Sequence, residues 1–593
     1  MKTLLEKPGC QVTGSKAHGH AGTPWAAIPW PGSSFLADIP VFAAGLALLY
    51  AIVVLAHYWT GPLTPQVEIS LSTRALPLYA LYSILRISVA YILSLAFTLV
   101  YGYIAAYNPR AERFMVPLLD VLQSIPVLSF LPGVMLAMVA LFPHRQFGLE
   151  LGAILLIFTA QFGNMAFSFY SSLKSVPNEM REAARLYRFS WWQSFIQMEL
   201  PYSVIGLVWN SVMSVAGAWF FLMACEMFVL GKRDFRLPGL GSYLQTAASA
   251  GNTPAIVSGL VTLVIVIVLT DQLVWRPVIA WAEKFKFENV ESAESPRSSI
   301  LNFLRRSRAL AFVSSRSVKP VEEAFTLHVA RRSASAPARI LPAAARQWFL
   351  LLVAIAAAAG VIYAIFRSGA LLAGLNHSEL KSMMAGAGAT FLRVTLCLLI
   401  GALWTVPAGV AIGTHPKLAR VAQPLAQIAA SVPATALFPI VLLALVRVGG
   451  GLGVGSILLL LLGTQWYILF NVIAGATAMP TDLKEVCRMF RFSRFERWRK
   501  LILPAIFPYL ITGLVTASGG AWNASIVAEY FHLHGKIYST TGLGALISQA
   551  TDDGNSRLLL AATICMAAIV AIVNRMVWRR LYRLAATRFK LET

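Results

Sequence analysis

The sequence predicts an all-α, polytopic membrane protein made of two parallel six-helix repeats, twelve transmembrane helices in all. Three observations carry this. Apolar residues make up 57% of the 593 and charged ones 13%, with a mean hydropathy of +0.67, far too little polar surface for a water-soluble chain of this size. Apolar runs long enough to cross ~30 Å of hydrocarbon recur along the whole chain. Punctuating residues of the first half also return in the second half at a nearly constant spacing.

Six runs lie at 38–59, 78–107, 115–141, 149–172, 201–230 and 254–281, and six more at 347–366, 384–413, 421–446, 451–476, 504–531 and 558–578. The tail 1–36 is rich in Gly, Pro, Ala and Ser and reads as irregular. It lacks a charged start followed by a short apolar core and cleavage site, so the first helix itself is expected to direct insertion. Segment 61–77 is extracytoplasmic, with Pro62, Pro65 and Pro77 breaking any long helix. From there the repeat is measurable: Arg86 matches Arg393, Gly102 matches Gly409, Pro126 matches Pro433 and Pro132 matches Pro439, all 307 residues apart. The spacing becomes 304 at Gln161/Gln465 and 303 from Pro177/Pro480 onward, where Trp219 matches Trp522 and Glu226 matches Glu529. The domains expected are a tail 1–36, a first repeat 37–281, a linker 282–345, a second repeat 346–581 and a tail 582–593. Of the 49 Lys and Arg, 34 fall on one side of this layout and 9 on the other, which makes the rich side cytoplasmic and puts both termini there. The net charge of +23 is spread over loop ends, which fits topology and anionic headgroups and not nucleic acid. Five cysteines, none in a long extracytoplasmic loop, imply no disulfide framework.

Two polar, basic loops interrupt the apolar pattern on the cytoplasmic side. Residues 177–201 read PNEMREAARLYRFSWWQSFIQMELP and 480–504 read PTDLKEVCRMFRFSRFERWRKLILP; each has 19 residues from its Glu, Glu182 or Glu485, to its final Pro. Each predicts a helical hairpin lying outside the span.

These loops resemble the signature of the inner-membrane permeases of binding-protein-dependent ATP-binding-cassette importers, of the form E-A-A, three residues, G, nine residues, I-x-L-P. Glu182, Ala183, Ala184, Ile196, Leu200 and Pro201 carry the match in the first copy, and Glu485, Ile502, Leu503 and Pro504 in the second. The family's Gly is replaced by Arg188 and Arg491, and Val486-Cys487 stand for the two alanines, so an altered bend and a looser second grip are expected. The resemblance implies a fused, type I importer-like permease of the bacterial inner membrane, acting with two copies of a cytoplasmic ABC ATPase and an extracytoplasmic solute-binding protein. It implies no enzyme activity and no cofactor for this chain, with ATP and Mg on the partner subunits. The chain itself has no G-x-x-x-x-G-K-[ST] phosphate loop. Within the family it looks most like the nitrate, sulfonate, taurine and bicarbonate group, implying a small oxyanion as substrate.

The loops then read as ATPase-coupling elements, through Glu182, Ala183, Ala184, Arg185, Tyr187 and Arg188 in one and Glu485, Arg488, Phe490 and Arg491 in the other. Small residues allow close approach, aromatics fill a pocket and arginines meet acidic rims. The plainer reading is an amphipathic helix on the inner leaflet, and the duplication in register favours coupling. For the pathway, Gln161, Asn164, Gln465 and Asn471 are expected at the seam between halves, with Trp219 and Trp522 closing the outer end; helix-to-helix hydrogen bonding or packing is the competing role of each. Glu226 and Glu529 are expected to hold the Gly-Leu-Gly loops that follow them. No metal site is expected: His532 and His534 lack a neighbouring carboxylate or thiolate. Two rivals remain, a fused permease for ferric iron or another small solute and an ion-coupled secondary transporter centred on Asp120, whose counterpart is only Gln427.

Overall fold

The computed structural model describes residues 68–143, 146–230, 233–285, 372–447, 451–479, 490–533 and 536–588, with isolated positions at 324, 359, 363, 366, 369, 370, 483, 485, 487 and 489. The runs expected at 38–59 and, almost entirely, 347–366 fall outside this set, as do both tails and most of the linker. The chain divides into two units, one holding 178–201 among its described residues and the other holding 45–177, 202–298 and 339–593.

In the larger unit the first repeat runs α1 (Leu76–Tyr107), α2 (Pro109–Ser124), α3 (Leu131–Leu141), α4 (Phe147–Lys174), α5 (Leu200–Glu226), strands β1 (Val229–Leu230) and β2 (Arg233–Asp234), α6 (Leu240–Ser249) and α7 (Thr253–Thr270). The second repeat runs α8 (His377–Thr414), α9 (Pro416–Ser431), α10 (Ala434–Arg447), α11 (Leu452–Thr477), α12 (Leu503–Ala528), β3 (Tyr530–Leu533), β4 (Lys536–Ser539), α13 (Leu543–Asp552) and α14 (Ser556–Val573). Among the described residues, eight helices are long and apolar enough to cross a membrane.

One expectation needs correcting. The runs 115–141 and 421–446 are not single helices: each breaks before a proline, at Ile125-Pro126 and Val432-Pro433, where the preceding residue is extended. The proline ring clashes with a helical backbone at that residue, so the helix must end there. The fold is all-α as expected, with β1–β2 and β3–β4 adding one short antiparallel hairpin after the fifth helix of each repeat.

The breaks let the repeats interlock. A helix interrupted in hydrocarbon leaves backbone groups that must find partners in protein. Ser129 Oγ donates to the Pro126 carbonyl, while the second repeat's Thr563 hydroxyl donates to the Ser129 carbonyl at 3.2 Å and its Asn523 amide oxygen accepts from Leu128 N–H at 3.4 Å. The core is shared in the same reciprocal way. Val127, Leu128 and Leu131 bury among Ala517, Trp522, Ile526 and Met566 of the second repeat, and Ala434, Phe438 and Leu442 bury among Leu222, Leu240 and Leu263 of the first.

The internal contacts also set the register. A side-chain carbon on Gly102 would meet the Phe169 ring, and one on Gly409 would meet Val472 at 2.8 Å, which pairs the first helices 307 apart and the fourth helices already 303 apart. The spatial counterpart of Gln161 is therefore Thr464, and that of Asn164 is Tyr467, in place of the Gln161/Gln465 and Asn164/Asn471 pairing read from the sequence.

Candidate functional site

At the hairpin-bearing end of each repeat a buried carboxylate holds a loop. Glu226, closing α5, accepts from Gly241 N–H at 2.7 Å, Ser83 Oγ at 2.7 Å and Arg86 at 2.7 Å; all three side chains are buried. Glu529 does the same for Gly544 N–H at 2.9 Å, Thr390 Oγ at 2.8 Å and Arg393 at 3.1 Å. Ser83 and Thr390 complete the arrangement by accepting from Leu240 and Leu543 N–H. Each carboxylate thus sits at the N-terminal turn of the short helix α6 or α13, where unpaired N–H groups favour negative charge. The first glycine of each Gly-Leu-Gly is explained by contact alone, since a side-chain carbon on Gly239 or Gly542 would occupy the carboxylate's own position. Glu226 and Glu529 do what the sequence led one to expect of them. One difference was not anticipated: Arg86 is also clamped by Glu150 at 2.6 and 2.7 Å, and the second repeat has Gly453 at that place.

In the unit containing 178–201, the first loop forms a helix Asn178–Leu186 that stops in a left-handed turn. Arg188 has φ of 51°, Phe189 N–H bonds the Ala184 carbonyl at 2.9 Å and Arg188 N–H the Arg185 carbonyl at 3.0 Å, the usual closing pattern of a glycine-terminated helix. Ser190 and Gln193 then cap the next turn reciprocally. The second loop repeats this: Arg491 has φ of 48°, Phe492 N–H bonds the Cys487 carbonyl at 3.0 Å, and Ser493 and Glu496 cap each other. Arg188 and Arg491 are the only described non-glycine residues with positive φ, so the expected alteration of the bend is not found: the turn is kept and an arginine bears it.

Glu182, Arg185, Arg188, Glu485, Phe490 and Arg491 are exposed, Ala183 is half-buried, Ala184 is buried and Tyr187 is 77% exposed. Arg488 lies outside the described residues. Sequence reading missed Leu186 and Met489, 83% and 81% exposed, which occupy equivalent places beside Tyr187 and Phe490. The missed signal was an apolar residue conserved between copies at a loop tip.

The pathway residues divide. Gln161 is fully buried, with Ser94 Oγ donating to its side chain at 3.2 Å and Ser214 Oγ to its carbonyl at 3.1 Å, so it ties α4 to α1 and α5 within one repeat and does not face the seam. Trp219 and Trp522 are buried in the two cores that both repeats share. Gln465 is half-buried, and Asn471 donates to the Tyr467 carbonyl of its own helix. Asn164 alone of the six is exposed, on the wall of a cavity of about 360 Å³ beside α4. A larger cavity of about 830 Å³ lies between the repeats at the hairpin-bearing end, lined by Leu128, Phe228 and Arg236 of the first and Ile526, Tyr530 and Asp552 of the second. There the Tyr530 hydroxyl donates to Asp552 at 2.7 Å, and burial first, then that carboxylate, push its pKa up. The side chains of Asp120 and His532, and residue His534, lie outside the described set; no group of three metal-ligating side chains occurs among the described residues.

Comparison with known proteins bears on the whole arrangement. The family described as binding-protein-dependent transport system inner membrane component matches residues 98–274 and again 405–584. Nitrate import permease protein NrtB of Leptolyngbya laminosa is 29% identical over 189 residues, 32% of this chain and 64% of that protein. Bicarbonate transport system permease protein CmpB of Synechococcus elongatus is 28% identical over 32% of this chain and 65% of that one. Taurine transport system permease protein TauC of Escherichia coli is 27% identical over 33% of this chain and 67% of that one. The chain spans just under two thirds of the length of the first two. Among solved structures, a chain of the MetNI methionine ABC transporter in an inward-facing conformation aligns at a TM-score of 0.31 and 21% identity, over 36% of this chain and 99% of that one.

Proposed function

The chain belongs to the family of binding-protein-dependent transport system inner membrane components, and from that premise we propose that it forms, by itself, the complete translocation pathway of an ABC importer for a small oxyanion. Its two repeats stand in for the two permease subunits, with 37–281 and 346–581 as the repeats and 282–345 as a cytoplasmic linker. Both loops and both termini face the cytosol. Two copies of a separate ATPase, carrying ATP and Mg, dock on the loops, and an extracytoplasmic binding protein delivers the solute. The relatives' names, which speak of nitrate, bicarbonate and taurine, support the substrate class.

One observation carries the coupling role: two loops keep the same strained left-handed turn on an arginine and present the same exposed apolar pair, Leu186-Tyr187 and Met489-Phe490. A left-handed non-glycine residue costs about 1–2 kcal/mol, and exposed apolar tips gain nothing in a free loop. A docked partner accounts for both. Glu182, Ala183, Ala184, Arg185, Glu485 and Arg488 then line the contact without doing chemistry.

The test is native mass spectrometry of the tagged chain extracted gently from its own membranes. Two ATPase copies per chain are expected, and Glu182→Ala with Glu485→Ala should lower their retention and solute uptake while membrane insertion stays intact. A chain that arrives alone, even after crosslinking in the membrane, overturns the reading.

A further inference from the structure

The cavity beside α4 is built by one repeat only. Gln123, Asn164, Ser168, Ser171, Ser172 and Asn210 supply its polar wall, and no charged side chain lines it. In the register fixed above, those six positions hold Ala430, Tyr467, Asn471, Ala474, Gly475 and Gly513 in the second repeat. The single amide left, Asn471, donates to the Tyr467 carbonyl at 2.8 Å, as Asn210 in the first repeat donates to the Gly206 carbonyl at 3.0 Å, so the wall's free amides are Gln123 and Asn164. Space differs as well as polarity. Gly206 of α5 leaves room beside Ser168 and Ser172, whose hydroxyls would stand 3.1 Å from a side-chain carbon placed there, whereas its counterpart Tyr509 packs its ring against Gly475.

Asn164 lies deepest among these groups, and Ser168, Ser171 and Ser172 step from it towards the end of the span. Asn164 is ten residues from the end of α4 at Lys174, ~15 Å at the helical rise. An exposed amide at such depth faces a water-filled path, because lipid offers it no partner, and the serines continue that path to the helix end. None of the Gln123, Asn164, Ser168, Ser171 and Ser172 side chains is engaged in a hydrogen bond within the described residues.

We propose that this wall is a solute station for a small oxyanion, supplied by the first repeat alone, while the second repeat provides an apolar face opposite in function. The proposal rests on the oxyanion-importer reading above. Hydroxyl and amide N–H donors can replace an anion's hydration shell, and the absence of a fixed cation lets it leave again, the balance that conduction demands. A hard cation would call for carboxylate ligands, and the wall has none.

The test reads charge selectivity directly. In a full-length background with all five cysteines replaced, Ser171→Cys, Ala474→Cys and, as a reporter on the exposed start of α9, Lys417→Cys are made singly. Inverted membrane vesicles are treated with sulfonatoethyl or trimethylammonioethyl methanethiosulfonate, and rates are normalised to free mercaptoethanol. Ser171→Cys should react about 10-fold faster than Ala474→Cys and favour the anionic reagent by about 3-fold or more, a preference that millimolar nitrate or taurine reduces. Equal rates at the two sites, preference for the cationic reagent, or an inert Ser171→Cys beside a reactive Lys417→Cys would each overturn the station. Labelling needs no partner subunit, so failure of the importer reading would show separately, as the absence of an ATPase in the native complex.

Discussion

Neutralising the buried carboxylates Glu226 and Glu529 should not cost the same, although they occupy equivalent places. In Glu226→Gln, Arg86 keeps two hydrogen bonds to Glu150 and one to the Pro238 carbonyl. The loss is then the charge on the bonds from Gly241, Ser83 and Arg86, worth about 1–2 kcal/mol. In Glu529→Gln, Arg393 loses its only ion-pair partner among the described residues and retains Thr541 and Thr540 oxygens. Stranding a buried charge costs about 3–5 kcal/mol, and the lower end applies because Arg393 is 12% exposed. The gap of about 1–2 kcal/mol corresponds to roughly 5- to 30-fold in inactivation rate if it is fully expressed in the barrier. Half-lives of the detergent-solubilised variants at one elevated temperature measure it, since such a protein unfolds irreversibly. Glu529→Gln should decay fastest, and adding Arg393→Met should recover part of the loss. Glu226→Gln decaying as fast as Glu529→Gln would refute the role given to Glu150.

Gly239→Ala and Gly542→Ala should destabilise at least as much as the charge neutralisations, because the added methyl takes the carboxylate's place; the same half-life assay reads it. Arg188→Gly and Arg491→Gly should relieve about 1 kcal/mol of backbone strain each and slow amide exchange across the turn, whereas Arg188→Val should speed it. Leu186→Asp with Met489→Asp should leave thermal half-life unchanged and weaken ATPase retention by about 10-fold or more in pull-down. Lys174 and then Tyr170 bond Glu112 and hold its carboxyl below the usual range, so its stabilising effect is present above the unfolded pKa and is lost as pH falls through the lowered one. Glu112→Gln should lower the neutral plateau slightly and flatten the acid limb of a pH–stability profile, leaving stability below the lowered pKa unchanged.

Much of this was legible in the chain. Hydropathy fixes the membrane class, since the bilayer demands long apolar helices whatever their neighbours. The paired prolines, the repeated loops and the Arg86/Arg393 and Glu226/Glu529 matches fix the duplication, because turns and buried charges tolerate few replacements. What the sequence left open was decided by contacts between residues far apart. Ile125-Pro126 and Val432-Pro433 become breaks that persist because the opposite repeat shares their core and, at the first, meets backbone groups at Leu128 and Ser129. Gln161 reads the same whether it faces a pathway or a neighbouring helix, and only the position of Ser94 assigns it to the latter. The left-handed turns at Arg188 and Arg491 run against local preference, and no propensity reveals them. The one-sided polar wall at Asn164 and Ser171 emerges once packing sets the register, for a one-residue shift along a helix turns a side chain by about 100°.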